Sequence, residues 1–472
     1  MSSPITVAYG DGIGPEIMES VLFVLKEAKA DISIETIEIG QKLYEKDWPS
    51  GIAPSAWGAI NRTKVLLKAP TTTPQGKGHK SLNVALRKRL GLFANIRPTL
   101  AFHPLVKTNY PHLDIVVVRE NEEDLYTGIE HRFSGNTYEC TKVITQTACE
   151  RICRYAFEYA SLHNRRKVTC LIKDNIMKMT DGIFHKIFDK VAKNYPELHS
   201  DHYIVDIGMA KVATDPEKFD VIVAPNLYGD IVSDIIAQVA GSVGMCGSAN
   251  IGEKYAMFEA IHGSAPDIAG KNIANPSGLL NAAIQMLTHL RDFTSAQAIY
   301  DAWLVTLEDG VHTADIYDDV VSSKLTSTHD FGVAVVNNLG KKPKVFKRLD
   351  LSIKSDINSS KINYISEYKE RKLVGVDISL EWLPDNSELE KLLNHTKNID
   401  SPFELVLIHS KGLALWPTIF ENQATEDQVC CRFFLKDIKY NPNNTNIYHI
   451  MDYLSKNGFC VVKMENLYTY DG

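Results

Sequence analysis

The chain begins on a β-branched run, Ile5-Thr6-Val7-Ala8-Tyr9, which predicts a strand. From Pro15 to Ala28 the apolar positions change to helical spacing: Ile17, Val21, Leu22, Val24 and Leu25 share one face, with proline in the first turn. Short continuous apolar runs recur at 65–67, 114–119, 168–172 and 219–224. Such runs suit strands buried on both faces, as in an α/β sheet. Residues 146–163, 179–195 and 279–290 read as helices between them.

The pattern changes near residue 341. Lys341-Lys342-Pro343-Lys344 opens a polar stretch to about Lys372, read as a linker over 341–371. Beyond it come a strand at 373–383, a helix at 387–395, a strand at 403–416 broken at Gly412, a strand at 428–435, a helix at 445–456 and a strand at 459–464. The order β-α-β-β-α-β predicts a ferredoxin-like α+β domain over 372–472.

Composition narrows the function classes. The 472 residues correspond to about three folding units at roughly 150 residues each. A net charge of −7 argues against a nucleic-acid partner, which needs a basic face. No apolar stretch of about 18 residues is present, so no membrane partner is expected. The first residues show neither a basic region nor an apolar signal core. Eight cysteines at irregular spacing, without a Cys-x-x-Cys pair, suit reduced thiols in a cytoplasmic protein.

Four constellations could carry chemistry. Gly10-Asp11-Gly12-Ile13-Gly14-Pro15-Glu16 lies between a strand and a helix, but Pro15 stands where a dinucleotide-binding G-x-G-x-x-G needs glycine. A tight turn explains it equally well. Ser81-Leu82-Asn83 is followed by Arg87, Asn95-Ile96-Arg97-Pro98 and Arg119-Glu120-Asn121. Guanidinium groups pair with carboxylates in a planar fork, so three of them suit a polycarboxylate, although surface arginines are a bland alternative. Asp230 and Asp234 are four residues apart at the start of an apolar helix and so share one face. Two such carboxylates suit a hard cation, Mg²⁺ or Mn²⁺; the alternative is the ordinary preference of aspartate for helix N-termini. His262-Gly263-Ser264-Ala265-Pro266-Asp267-Ile268, continuing to Asn275-Pro276, is a loop of the kind that holds a ligand against backbone amides.

Together these segments resemble the β-decarboxylating dehydrogenases, the isocitrate/isopropylmalate dehydrogenase family, over residues 5 to about 340. Ser81 and Asn83 look like the isocitrate version, because isopropylmalate enzymes carry apolar residues there. The resemblance implies a fold with a large domain (1–92 and 241–340), a small domain (93–123 and 146–240) and a clasp-like arm (124–145). It implies substrate binding by Ser81, Asn83, Arg87, Arg97 and Arg119, and catalysis by Tyr126 and Lys173. Metal would be held by Asp206, Asp230 and Asp234. Cofactor would meet His262, Gly263, Ser264, Ala265, Asp267, Ile268 and Asn275.

The implied reaction is oxidative decarboxylation of isocitrate to 2-oxoglutarate in the tricarboxylic acid cycle, by a homodimer or higher oligomer whose Lys173 and Asp206 enter the partner's site. NADP-using members usually carry Lys and Tyr at the positions of Asp267 and Ile268. Asp267 would repel a 2′-phosphate, so NAD is expected in preference to NADP. The rivals are a sister enzyme such as homoisocitrate dehydrogenase, and a non-catalytic regulatory subunit. A silent subunit would have lost catalytic residues, and none is missing.

Overall fold

The computed structural model describes residues 2–44, 48, 50–72, 81–346, 348–351, 370–382, 386–417, 426–437 and 439–470. Two compact units divide the chain. One draws on Met1–Gly128 and Lys142–Asn363, the other on Ile129–Thr141 and Tyr364–Gly472. Most of the expected linker lies outside the described residues.

The first unit is built on a ten-stranded sheet. One wing runs Ile32–Ile37, Ser3–Ala8, Val65–Lys68 and Ala256–Ala260, all parallel. The other runs Asp114–Glu120, Val221–Ala224, Lys167–Ile172 and His199–Ile204, again all parallel. Gly247–Ile251 and Ala94–Leu100 join the wings through antiparallel pairings. The apolar runs explain the wings: Val65-Leu66-Leu67 and Val221-Ile222-Val223-Ala224 are buried throughout.

Each wing is covered on both faces. Helices Gly14–Glu27, Ser277–His289 and Phe293–Glu308 close one face of the first wing around the fully buried Trp303, and Pro54–Thr63 and Leu82–Leu90 close the other. Gln146–Leu162 and Thr180–Ala192 cover one face of the second wing, and Val205–Thr214 and Asn226–Ala240 the other. The four parallel strands of the second wing therefore deliver their carboxyl ends to one edge, where α/β sheets bind ligands. Tyr126, Lys173, Asp206 and Asp230 all follow those ends.

The glycine loop at 10–14 is a packing device. Gly10 and Gly12 both have positive φ, +66° and +59°. A Cβ on Gly12 would sit 1.9 Å from the Ser264 carbonyl oxygen, and one on Gly10 would sit 2.0 Å from that of Pro70. Asp11 accepts the backbone N–H groups of Thr72 and Gln41. Gly12→Ala is expected to cost about 3 kcal/mol or more, through strain and backbone collision. The measurement is the urea midpoint at constant m-value; an unchanged midpoint would contradict this account.

The second unit holds a five-stranded antiparallel sheet in the order Leu413–Trp416, Phe403–Ser410, Gln428–Leu435, Arg371–Glu381 and Val461–Tyr470. Helices Asn386–Lys397 and Asn444–Lys456 pack on one face over Val376, Ile378, Cys431 and Phe433. The order is β-α-β-β-β-α-β, one strand more than expected. The segment 403–416 folds back at Lys411 and Gly412, both at positive φ, into two strands. A short hairpin, Glu130–Arg132 with Tyr138–Cys140, belongs to this unit. The Asp427 carboxylate accepts hydrogen bonds from Ser134 Oγ (2.7 Å), Thr137 Oγ1 (3.0 Å) and the Asn136 N–H (2.6 Å), and Lys463 pairs with Glu139 at 3.0 Å.

All eight cysteines are free. Among the described residues no helix is long and apolar enough to cross a membrane.

Candidate active site

Arg97 sits in the polar joining strand Ala94–Leu100 and Arg119 near the end of Asp114–Glu120; both side chains are almost fully buried. Both point at one carboxylate. Arg119 Nη1 lies 2.5 Å and Arg97 Nη2 3.1 Å from Asp230 Oδ1. On the other oxygen, Tyr126 Oη donates to Asp230 Oδ2 at 2.5 Å. The guanidinium forks are fixed from behind. Arg97 donates to Asn95 Oδ1 and Ser233 Oγ, both at 2.6 Å, and Arg119 donates to the carbonyl and side-chain oxygens of Asn226. Asp234, largely exposed, is 3.5 Å from Arg97.

The electrostatics follow from crowding. Burial, then the charges of Arg97 and Arg87, push the Arg119 guanidinium down to about 9, still charged at neutral pH. Burial works against the Asp230 charge, yet Arg119 and Arg97 hold its carboxyl below the usual range. Burial raises the Tyr126 phenol, so it keeps its proton. Burial and the negative Asp230 raise the Asp234 carboxyl. Arg97, Arg119, Arg87 and Lys68 against Asp230, Asp234 and Glu259 leave one excess positive charge for an anionic substrate.

Arg87 is bound differently from the expectation of a group facing substrate. Its Nη2 donates to Glu259 Oε1 at 3.1 Å, and Lys68 Nζ lies 2.8 Å from Glu259 Oε2. Burial opposes the Glu259 charge, but Lys68 and Arg87 hold its carboxyl well below the ordinary range. Arg87 Nε is buried with no hydrogen-bond partner among the described residues, so one donor remains for a ligand. Ser81 is the residue before helix Leu82–Leu90, and Asn83 in its first turn accepts from Thr71 Oγ1.

Lys173 and Asp206 form a separate pair, Nζ to Oδ1 at 2.8 Å, just beyond the carboxyl ends of the neighbouring parallel strands Lys167–Ile172 and His199–Ile204. Asp206 is two-thirds exposed, and hydrogen bonding to Lys173 lowers its carboxyl. The Lys173 backbone N–H is held by the buried Asp181, which also binds Lys142 Nζ at 2.6 Å. Within one chain, therefore, Asp206 joins Lys173 rather than Asp230 and Asp234.

The loop after Ala256–Ala260 packs on the glycine turn: Ser264 Oγ meets Thr72 Oγ1 at 2.6 Å, and the Ser264 carbonyl accepts the Ile13 N–H. Asn275 is buried and donates to Asp315, a residue that sequence reasoning passed over because one aspartate in a loop carries no pattern. Asp267 is exposed, Ala265 takes positive φ, and a Cβ on Gly263 would meet nothing within 4 Å. His262 Nε2 is buried without a partner among the described residues, and burial keeps the ring neutral. An orphaned ring nitrogen beside open backbone fits a bound cofactor. Asp230 and Asp234 offer only oxygen donors, which fits Mg²⁺ or Mn²⁺. A cavity of about 1120 Å³, lined by Tyr155, Tyr159 and Trp303 among others, contains none of these residues.

The family model described as isocitrate/isopropylmalate dehydrogenase matches residues 4–335, and that of the bacterial isocitrate dehydrogenase C-terminal domain matches 371–472. A Rickettsia felis protein named as an NADP isocitrate dehydrogenase is 53% identical over 475 residues, covering 100% of this chain and 97% of its own. A Thermus thermophilus protein of the same name is 39% identical over 91% of this chain and 86% of its own. A crystal structure from Thermus thermophilus superposes with a TM-score of 0.92 at 37% identity, covering 99% of this chain and 94% of that one. The relatives' names run against the expected preference for NAD. On its sequence and its fold, the chain belongs to the isocitrate/isopropylmalate dehydrogenase family.

Proposed function

We propose that this chain oxidises and decarboxylates isocitrate to 2-oxoglutarate and CO₂, reducing NADP. The observation that carries the reading is the pair of buried guanidiniums, Arg97 and Arg119, converging on Asp230 beside the protonated Tyr126. Arg97 and Arg119 hold two substrate carboxylates, with the free Nε of Arg87 as a further donor. Ser81 and Asn83 hydrogen-bond the third carboxylate. A buried polar subsite rejects an apolar substituent such as isopropyl, because its donors would be left unpaired.

Asp230 and Asp234, with Asp206 of the partner subunit, would hold Mg²⁺ or Mn²⁺. When bound, the ion supplies Lewis-acid polarisation of the substrate oxygens. Lys173, entering from the partner in a homodimer, takes the hydroxyl proton at Nζ as the neutral amine, a form that a neighbouring cation would favour. Tyr126 Oη delivers a proton to the enolate carbon after CO₂ leaves, and its raised phenol keeps that proton available at neutral pH. The exposure of Asp206 and its pairing with Lys173 in the same chain support shared sites.

The choice of NADP rests on the relatives' names and on the loop itself. Asp267 is exposed, and no ion pair fixes it among the described residues. Lys271 lies on the same loop and supplies a positive charge there. The test is initial rates with isocitrate and Mn²⁺, comparing the two cofactors in one assay. The expected result is at least about 10-fold higher kcat/KM with NADP, a difference of roughly 1.4 kcal/mol. Dominance of NAD would restore the Asp267 argument and overturn the cofactor assignment. No turnover with either cofactor would overturn the substrate.

A further inference from the structure

The outer face of the second unit's sheet carries chemistry that the reaction does not use. In Phe403–Ser410, Gln428–Leu435 and Arg371–Glu381, Ile408, Cys431 and Ile378 turn into the core under the two helices. The alternate positions turn outward. His409 lies directly opposite Cys430 on the neighbouring strand. Cys430 lies opposite Ser379, and Asp377 lies opposite Arg432, which makes Asp377 the diagonal neighbour of Cys430. Diagonal side chains on one sheet face are within reach of each other. One ligand atom each from Asp377, His409 and Cys430 falls within 4.8 Å of the others, the single such group of three or more among the described residues. A register shift in the Phe403–Ser410 pairing, between Ile408 and His409, marks where the strand re-aims its side chains.

We propose that Asp377, His409 and Cys430 form a site for one divalent transition ion of the Zn²⁺ class, pinning three strands of the C-terminal sheet. The donor set is one oxygen, one imidazole nitrogen and one sulfur. That combination selects Zn²⁺ or Co²⁺ over Mg²⁺ and Mn²⁺, the reverse of the all-oxygen set at Asp230 and Asp234. His409 Nδ1 is buried and has no hydrogen-bond partner among the described residues, and burial favours the neutral ring that can act as a ligand. Arg432 donates to both oxygens of Asp377, at 2.8 and 2.7 Å. Each carboxylate oxygen has two lone pairs, so the fork leaves one on each free for an ion.

Burial raises the Cys430 thiol to about 11, so binding must break the S–H bond, release the proton to solvent and form the metal–sulfur bond. Two anionic ligands then balance the ion's charge, and Arg432 stays paired with Asp377. Three protein ligands leave the fourth tetrahedral position for water.

The test uses the full chain, saturated with Mg²⁺ and titrated with Co²⁺. Thiolate-bound Co²⁺ gives an intense near-ultraviolet sulfur-to-metal band, which carboxylate sites cannot produce. The expected result is one equivalent of Co²⁺ per chain developing that band, displaced by Zn²⁺. In Cys430→Ser the band is lost; in His409→Gln, affinity falls at least about 10-fold, as for loss of a ligand contact. Far-ultraviolet dichroism confirms that each variant is folded, and His409→Gln serves alone if Cys430→Ser is not. No band in the wild-type chain, or the same band and affinity in either folded variant, would overturn the site.

Discussion

Replacing Lys173 by methionine lowers kcat by about 10³-fold while leaving the fold in place. The main-chain N–H of Lys173 is anchored by the buried Asp181, so the loop does not depend on the amine. Only Nζ is lost, together with its contact to Asp206. The proposed sharing of sites between subunits adds a sharper expectation. Inactive Lys173→Met and inactive Tyr126→Phe chains, coexpressed as a mixed dimer, regain one working site out of two. That site takes Tyr126 from the first chain and Lys173 from the second. Mixed dimers as inactive as their parents would show that both groups serve the same chain's site. Undiminished turnover in Lys173→Met alone would remove the residue from the chemistry.

Arg97→Lys is the second large effect. The substitution keeps a charge near Asp230 but loses the fork that simultaneously reaches Asn95, Ser233 and Asp230. Breaking a buried charge network in this way costs about 3–5 kcal/mol, and a single ammonium cannot recover planar bidentate geometry. The expected readout is a fall of about 10³-fold in kcat/KM for isocitrate, accompanied by a lower thermal midpoint, because Asp230 and Ser233 each lose a partner. Wild-type kcat/KM in Arg97→Lys would show that charge alone, without the fork, suffices.

These two residues also show how much was legible beforehand. Ser3–Ala8, Val65–Lys68, Asp114–Glu120, Lys167–Ile172 and Val221–Ala224 were readable because they carry short continuous apolar runs, whereas the edge strands Ile32–Ile37 and His199–Ile204, half exposed and rich in polar positions, were not. Ala94–Leu100 and Gly247–Ile251 were missed because Asn95, Arg97, Ser248 and Asn250 occupy buried positions that a strand pattern reserves for apolar side chains. Arg97 and its partner Asn95 build the site, so the residues that make Ala94–Leu100 useful also hide it as a strand.

The spacing of Asp230 and Asp234 placed both on one helix face, but the guanidiniums that hold Asp230 come from strands more than 100 residues away. Arg87 was legible as a basic residue, yet its engagement with Glu259 and Lys68 arises only when a helix meets two parallel strands. The fold-back at Gly412 was visible as a break but not as a turn between paired strands. The cofactor expectation rested on two neighbouring side chains, Asp267 and Ile268, which are too few to set a preference for a whole ligand.

The hairpin at 129–141 imposes an order on synthesis. Ser134, Asn136 and Thr137 emerge from the ribosome about 290 residues before Asp427, the carboxylate that receives them. At roughly 5–20 residues per second, that separation is about 15–60 s. The α/β unit can complete its own strands in that interval while the hairpin waits unpaired. The last quarter of the chain then closes onto an element made in the first third. A ribosome stalled after residue 340 would thus carry the residues proposed for catalysis in a chain whose hairpin still lacks its partner strands.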